Sequence, residues 1–258
     1  MNTLVDVEQV SHGYRSENGG GWVPVLNEVS FSIRKGECLG IVGESGSGKS
    51  TLGRILLGLE VPKDGHVRLA GQSLYTPLRF WQRHHKIQTR VSAVFQDYTS
   101  SANPLMNVWD IVAEPLRVRG VVQRDELQSR VAALLVQVGL TPDLAVRFPH
   151  QLSGGQMQRV CIARAIASEP QFIVLDEAVS ALDVSIQVQI LDLLAELRES
   201  LALTYLFISH DVAAVAYLCQ RVIFLQSGRV IERVEDMDSL GKVQHPYARQ
   251  LLQSVMTF

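Results

Sequence analysis

Cys38-Leu39-Gly40-Ile41-Val42-Gly43-Glu44-Ser45-Gly46-Ser47-Gly48-Lys49-Ser50-Thr51 passes from an apolar stretch into a glycine-rich turn. A helix-period segment at residues 52–59 follows at once, so the order is strand, loop, helix. The turn fits the pattern G-x-x-x-x-G-K-[ST]. Its glycines let consecutive backbone N–H groups curl around phosphate oxygens, and the helix start behind them adds a partial positive charge. Lys49 supplies a full positive charge between β- and γ-phosphates, and Ser50 is placed to give Mg²⁺ a hydroxyl ligand. A flexible Gly/Ser loop matching by chance would lack the flanking strand and helix. The ligand is therefore read as a nucleoside triphosphate, ATP or GTP.

Working outward, Val5 and Val7 alternate with Asp6 and Glu8, and Val29, Phe31 and Ile33 alternate with Ser30, Ser32 and Arg34. That period of two predicts half-buried antiparallel strands, separated by a polar loop at residues 16–21. Buried strands are predicted at Val91–Phe95 and at residues 172–175, 204–208 and 221–225, alternating with helical segments such as 185–199. Such alternation implies a mainly parallel sheet. Between Gln96 and Ser168 the patterns are only helical, at Val108–Val118, 126–138 and Gly154–Ala167. The chain thus reads as one α/β domain, residues 1–258, with an antiparallel β part at its start, a helical insertion at 97–168 and a short helical tail at 233–258. Pro62-Lys63-Asp64-Gly65 and Ser227-Gly228 are turn signals.

The 258 residues carry 24 basic and 26 acidic side chains, a formal charge of −2. Broad phosphate neutralisation would need a basic excess, so no nucleic-acid partner is expected. Cys38, Cys161 and Cys219 stand apart without metal or redox spacing. No stretch reaches the roughly 18 uninterrupted apolar residues of a membrane span, and Met-Asn-Thr-Leu-Val-Asp-Val-Glu does not read as a secretory leader. A cytoplasmic location is expected, with attachment to a membrane protein left open.

Phe172-Ile173-Val174-Leu175-Asp176-Glu177 is an apolar strand ending in two acids, and strand ends are where open α/β sheets place ligands. Asp176 is the candidate for holding Mg²⁺ and Glu177 for polarising an attacking water. Gln96 and His210 end two further apolar strands, so Gln96 is a candidate for Mg²⁺ and the water, and His210 for the γ-phosphate. Each acid, amide or imidazole read alone is an ordinary solvated strand terminus. Beside a complete phosphate loop, their shared position favours chemistry.

Leu152-Ser153-Gly154-Gly155-Gln156 precedes Met157-Gln158-Arg159-Val160-Cys161-Ile162-Ala163-Arg164-Ala165. Ser153 reads as an N-cap whose glycines leave backbone N–H groups open at a helix start, a second anion site or an ordinary capped helix. In combination with the loop at residues 43–51, Gln96, residues 172–177, Ser180-Ala181-Leu182-Asp183 and His210, this resembles the nucleotide-binding subunit of an ABC transporter over nearly the whole chain. The resemblance implies a P-loop NTPase (RecA-like) parallel-sheet core with an N-terminal antiparallel β subdomain and an inserted α-helical subdomain, the ABC cassette. It implies ATP and Mg²⁺, and a head-to-tail dimer in which Ser153, Gly154, Gly155 and Gln156 of one subunit close over ATP held by the loop of the other. Tyr14 is the implied aromatic on adenine, with Trp22 its rival.

Val94-Phe95-Gln96-Asp97, Ser101-Ala102-Asn103-Pro104, Ala113-Glu114-Pro115-Leu116 and His245-Pro246-Tyr247 resemble the oligopeptide, dipeptide and nickel importer branch. Val160-Cys161 and Cys219-Gln220-Arg221-Val222 look closest to the second ATPase of nickel importers. The implied partners are two membrane permease subunits, a paralogous second ATPase and an extracytoplasmic solute-binding protein. The implied place is the cytoplasmic face of the bacterial inner membrane. Ala178-Val179 departs from the Pro-Thr of the wider family but leaves Asp176 and Glu177 intact, and no iron–sulfur cluster is expected. A soluble ABC-type ATPase of DNA repair or translation is the alternative, and a non-catalytic nucleotide-binding regulator the third reading.

Overall fold

The strands of the chain form two sheets. The fold is taken from a computed structural model that describes residues 2–16, 21–75, 90–96, 101–121 and 123–253. Parts of three predicted segments, residues 17–20, 97–100 and 254–258, lie outside the described residues.

Strands β1 (Thr3–Arg15), β2 (Trp22–Arg34), β4 (Asp64–Leu69) and β5 (Gln72–Ser73) form an antiparallel sheet in the order β2-β1-β4-β5. Strands β3 (Cys38–Val42), β6 (Val91–Phe95), β7 (Phe172–Asp176), β8 (Thr204–Ser209), β9 (Arg221–Gln226) and β10 (Arg229–Val234) form the second, ordered β10-β9-β3-β8-β7-β6. All its pairings are parallel except β10 with β9, which a two-residue turn joins. Ser227 and Gly228 have φ of 47° and 74°, the left-handed pair such a tight hairpin requires.

The helices are α1 (Lys49–Leu56), α2 (Val108–Val118), α3 (Arg124–Gln137), α4 (Gly154–Ala167), α5 (Val184–Ser200), α6 (Val212–Leu218) and α7 (Pro246–Gln253). Helix α1 starts three residues before the predicted 52, because Gly48 at φ 104° turns the chain sharply into it. Among the described residues no helix is long and apolar enough to cross a membrane.

Both faces of the parallel sheet are covered, each by its own core. Along β3, Leu39 and Ile41 join α1 and the antiparallel sheet on one side, whereas Cys38 and Val42 join the other helices on the opposite side. This double burial explains why β3 and β8 are apolar runs without alternation. The cysteines depart from the sequence expectation: Cys38 Sγ and Cys219 Sγ lie 3.4 Å apart as buried free thiols. They are distant in sequence, and the crossover from α6 into β9 brings them together.

Candidate functional site

The sheet register lines up the strand ends. Val42 pairs with Ser209, Ile208 with Asp176, and Asp176 with Phe95. Gly43, His210, Glu177 and Gln96 therefore leave neighbouring strands along one edge.

Within the loop at residues 43–48, Gly46 and Gly48 have positive φ. At Gly48 a Cβ would also stand 2.7 Å from Leu26 Cδ2 and 2.9 Å from Val25 O, so glycine is required there twice over. Lys49, only 5% exposed, donates from Nζ to Gly43 O at 2.7 Å and to Glu44 O at 2.8 Å. Burial presses its ammonium below the usual lysine range, while Glu177, Asp176 and Glu44 pull it back. Ser47 Oγ is buried without a hydrogen-bond partner, a polar atom left for a ligand.

Ser50 Oγ donates to Asp176 Oδ1 at 3.3 Å. Burial raises the Asp176 carboxyl above its usual range; the Ser50 bond opposes this, Glu177 adds to it and Lys49 opposes it. Two hard oxygen donors held together at a helix start suit Mg²⁺, which takes few protein ligands and keeps several waters.

Glu177 adopts φ 50°, uncommon for a residue with a side chain. Its N–H donates to Ile208 O at 2.8 Å, and its carbonyl accepts from Ser180 Oγ at 2.9 Å. The chain thus turns off the sheet at Glu177 with both peptide ends anchored. His210 Nδ1 lies 3.3 Å from Glu177 Oε2. Gln96 is exposed beyond β6 and makes no hydrogen bond to Ser50 or Asp176.

Ser153 caps α4 as expected, and the cap closes on itself. Gln156 N donates to Ser153 Oγ at 3.3 Å, and Ser153 N donates to Gln156 Oε1 at 2.9 Å. Gly154 and Gly155 open the helix, and a Cβ on Gly155 would stand 2.7 Å from Ile186 Cγ2 of α5. None of these four residues hydrogen-bonds to the loop at residues 43–48.

Tyr14, by contrast, reaches the start of α1. Its hydroxyl donates to Glu60 Oε2 at 2.8 Å and lies 3.3 Å from Thr51 Oγ1. Trp22 sits beside it in the β1–β2 pair, opposite Arg15, with Lys63 Nζ 5.1 Å from its ring centre.

Three contributors escape a reading of motifs. Gln158 donates from Nε2 to Ala178 O at 2.6 Å, tying α4 to the turn after Glu177. Asp211 caps α6 by accepting from Ala213 N at 2.8 Å and also accepts from Gln187 Nε2 of α5 at 3.0 Å. Tyr247 of α7 accepts from Glu44 N at 2.7 Å. Gln158, a polar residue at an apolar helical position, and Tyr247, within the quoted His245-Pro246-Tyr247, left a local signal but no role; Asp211 looks like an ordinary surface residue.

Residues 26–180 match a protein-family model described as "ABC transporter". A Brucella abortus protein named "Putative peptide import ATP-binding protein" is 46% identical over 243 residues, 94% of this chain and 72% of that protein. A Brucella ovis protein of the same description is 43% identical over 253 residues, 98% of this chain and 78% of that protein. The solved dimer of the ATP-binding cassette MJ0796 bound to ADP and Pi is 31% identical and superposes with a TM-score of 0.81, covering 91% of this chain and 99% of that one.

Proposed function

Because the chain belongs to the ABC transporter family and is an ATP-hydrolysing transport ATPase of the importer type, we propose that it drives uptake of short peptides through two membrane permease subunits. The observation that carries this is the meeting of the α1 start, with Lys49 and Ser50, and the strand-end residues Asp176, Glu177 and His210 along one sheet edge.

In this reading the N–H groups of the loop at residues 43–51 hold the phosphates, save that of Glu44, which Tyr247 holds, and Lys49 turns to the β- and γ-phosphates the ammonium donor that Gly43 O and Glu44 O leave free. Ser50 and Asp176 hold Mg²⁺, with Gln96 beside them, and the ion supplies charge neutralisation on the phosphates. Glu177 polarises the attacking water; His210, in contact with its carboxylate, orients it and faces the γ-phosphate. Tyr14 stacks on adenine, its ring steadied through Glu60 and Thr51, and Trp22 is the alternative.

The capping group at Ser153, Gly154, Gly155 and Gln156 serves a second subunit's nucleotide head to tail. Its lack of bonds to its own loop supports this, as does the dimer formed by MJ0796. The second subunit is a copy of this chain or a paralogous ATPase, and a solute-binding protein outside the membrane delivers the cargo. The complex sits at the bacterial inner membrane with this subunit on its cytoplasmic face. The division into one cassette of residues 1–258, an inserted helical part at 97–168 and a tail at 233–258 belongs to the same proposal.

The relatives' names favour a peptide cargo, while the nickel-ATPase look of Val160-Cys161 and the segment 219–222 favours nickel as a second reading. Vesicles carrying the assembled complex should couple ATP to uptake of labelled dipeptide, with labelled nickel run alongside. Glu177→Gln should lower turnover by about 10² to 10⁴ while sparing ATP binding, since an amide cannot accept the water's proton. Intact uptake by that variant refutes the catalytic assignment. Purification with ribosomes or DNA instead of permeases would favour the soluble alternative.

A further inference from the structure

Two successive backbone N–H groups after β10 are held by one carboxylate. Gln244 N donates to Glu232 Oε1 at 2.6 Å and His245 N donates to Glu232 Oε2 at 2.8 Å. Tyr247 N then donates to His245 Nδ1 at 3.2 Å, and α7 buries Tyr247, Ala248 and Leu252. The result is a short helix held in one place with one phenol, 6% exposed, pointed at the phosphate loop.

That phenol oxygen accepts the N–H of Glu44. The same peptide unit carries the carbonyl of Gly43, which accepts Lys49 Nζ at 2.7 Å. A peptide is planar and trans, so its N–H and C=O point in opposite directions and cannot be aimed independently. Fixing the N–H from one side fixes the carbonyl on the other. Tyr247, the Gly43–Glu44 peptide and Lys49 are therefore three links of one relay. Lys49 Nζ also bonds Glu44 O at 2.8 Å, so both peptides flanking Glu44 are held at once.

We propose that Tyr247 is a positioning residue for ATP: by holding the Glu44 N–H it preorganises the first peptide of the phosphate loop and the seat of Lys49. This rests on the reading of residues 43–51 as the ATP site. With the hydroxyl absent, the Gly43–Glu44 peptide keeps only its carbonyl anchor at Lys49 Nζ, the loop gains competing conformers, and binding must exclude them. The chemistry at Glu177 and His210 is not touched by the change.

The test uses the full chain, titration with a fluorescent ATP analogue, and steady-state ATPase assays. Tyr247→Phe should weaken ATP binding and raise KM about three- to tenfold, the range of one neutral hydrogen bond, with kcat within about twofold. Glu44→Pro removes the N–H that the phenol accepts, so in that background Tyr247→Phe should change the ATP Kd less than about twofold. A loss of thermal stability alone, with Kd unchanged, overturns the proposal. So does a Kd shift of the same size in the Glu44→Pro background. Failure of the unaltered chain to bind ATP would overturn the site reading itself and this inference with it; normal binding by the unaltered chain leaves the two outcomes separable.

Discussion

Gln158 is 1% exposed, sits one turn into α4 from the Ser153 cap, and spends one amide hydrogen on Ala178 O at 2.6 Å. Its other amide atom, Oε1, is buried with no partner. Gln158→Met keeps the shape and removes both. Leaving the Ala178 carbonyl unpaired costs about 1–3 kcal/mol, and deleting the stranded Oε1 relieves part of that, so the net loss should be about 1–2 kcal/mol. Gln158→Glu is worse at neutral pH, because a buried carboxylate then faces a carbonyl oxygen; protonated, the same acid donates to it. Burial and that hydrogen bond both raise the folded pKa of the new acid above its unfolded value of about 4.3. A raised folded pKa means the deficit is smallest below about pH 4, grows by about 1.4 kcal/mol per pH unit, and levels off above the folded value. Urea unfolding of the full chain at pH 5 and pH 8 reads this directly. Turnover should fall about tenfold or more in Gln158→Met, since the turn that presents Glu177 loses its outer anchor. The reasoning fails if Gln158→Met unfolds like the parent, or if the Gln158→Glu deficit is the same at both pH values.

Gly48→Ala combines a backbone at φ 104° with a Cβ 2.7 Å from Leu26 Cδ2. It should cost about 1–3 kcal/mol in the loop and abolish binding of a fluorescent ATP analogue; retained affinity would show that the loop reshapes freely. At the opposite end of the sheet, Arg221 donates to Glu235 Oε2 at 2.6 Å and to Oε1 at 3.0 Å, and that bond holds the Glu235 carboxyl below its usual value of 4.5. A depressed carboxylate stabilises the fold above its ordinary pKa and loses that effect as pH falls through the folded value. The gap in melting temperature between parent and Glu235→Gln should therefore narrow below about pH 4.5, and a gap independent of pH would refute the assignment.

Sequence patterns report what is periodic or contiguous, and the core of this fold is both. Strand β3, its loop and α1 are consecutive, and β6, β7 and β8 are apolar runs that end in the polar residues of the candidate site. Their alignment on one edge follows because parallel strands all present the same end there. The elements that escaped are those with weak periodicity. Strand β5 has two residues, β4 buries only Val67 and Leu69, β10 is largely half-exposed, and only the turns Pro62-Lys63-Asp64-Gly65 and Ser227-Gly228 were legible. Contacts fixed by topology left no local mark: the Cys38–Cys219 pair depends on β9 lying beside β3, and the Tyr247–Glu44 bond spans 203 residues.

Of the two helix starts read above as anion sites, that of α4 is closed by its own side chains, whereas that of α1 has no side-chain cap. Lys49 rests on two carbonyls of its own loop, and Ser153 and Gln156 cap each other. A phosphate arriving at the α4 start must displace bonds already made. At α4 the capping box is worth about 0.5–2 kcal/mol, so a single neutral hydrogen bond from a ligand would not open it with profit. A triphosphate carrying several negative charges would, because charge-assisted bonds are roughly twice as strong and the helix start favours an anion. Under the head-to-tail arrangement proposed above, the cap therefore yields to nucleotide already bound on the facing subunit and stays shut against an empty one. The closed cap would make subunit association depend on ATP without any further device.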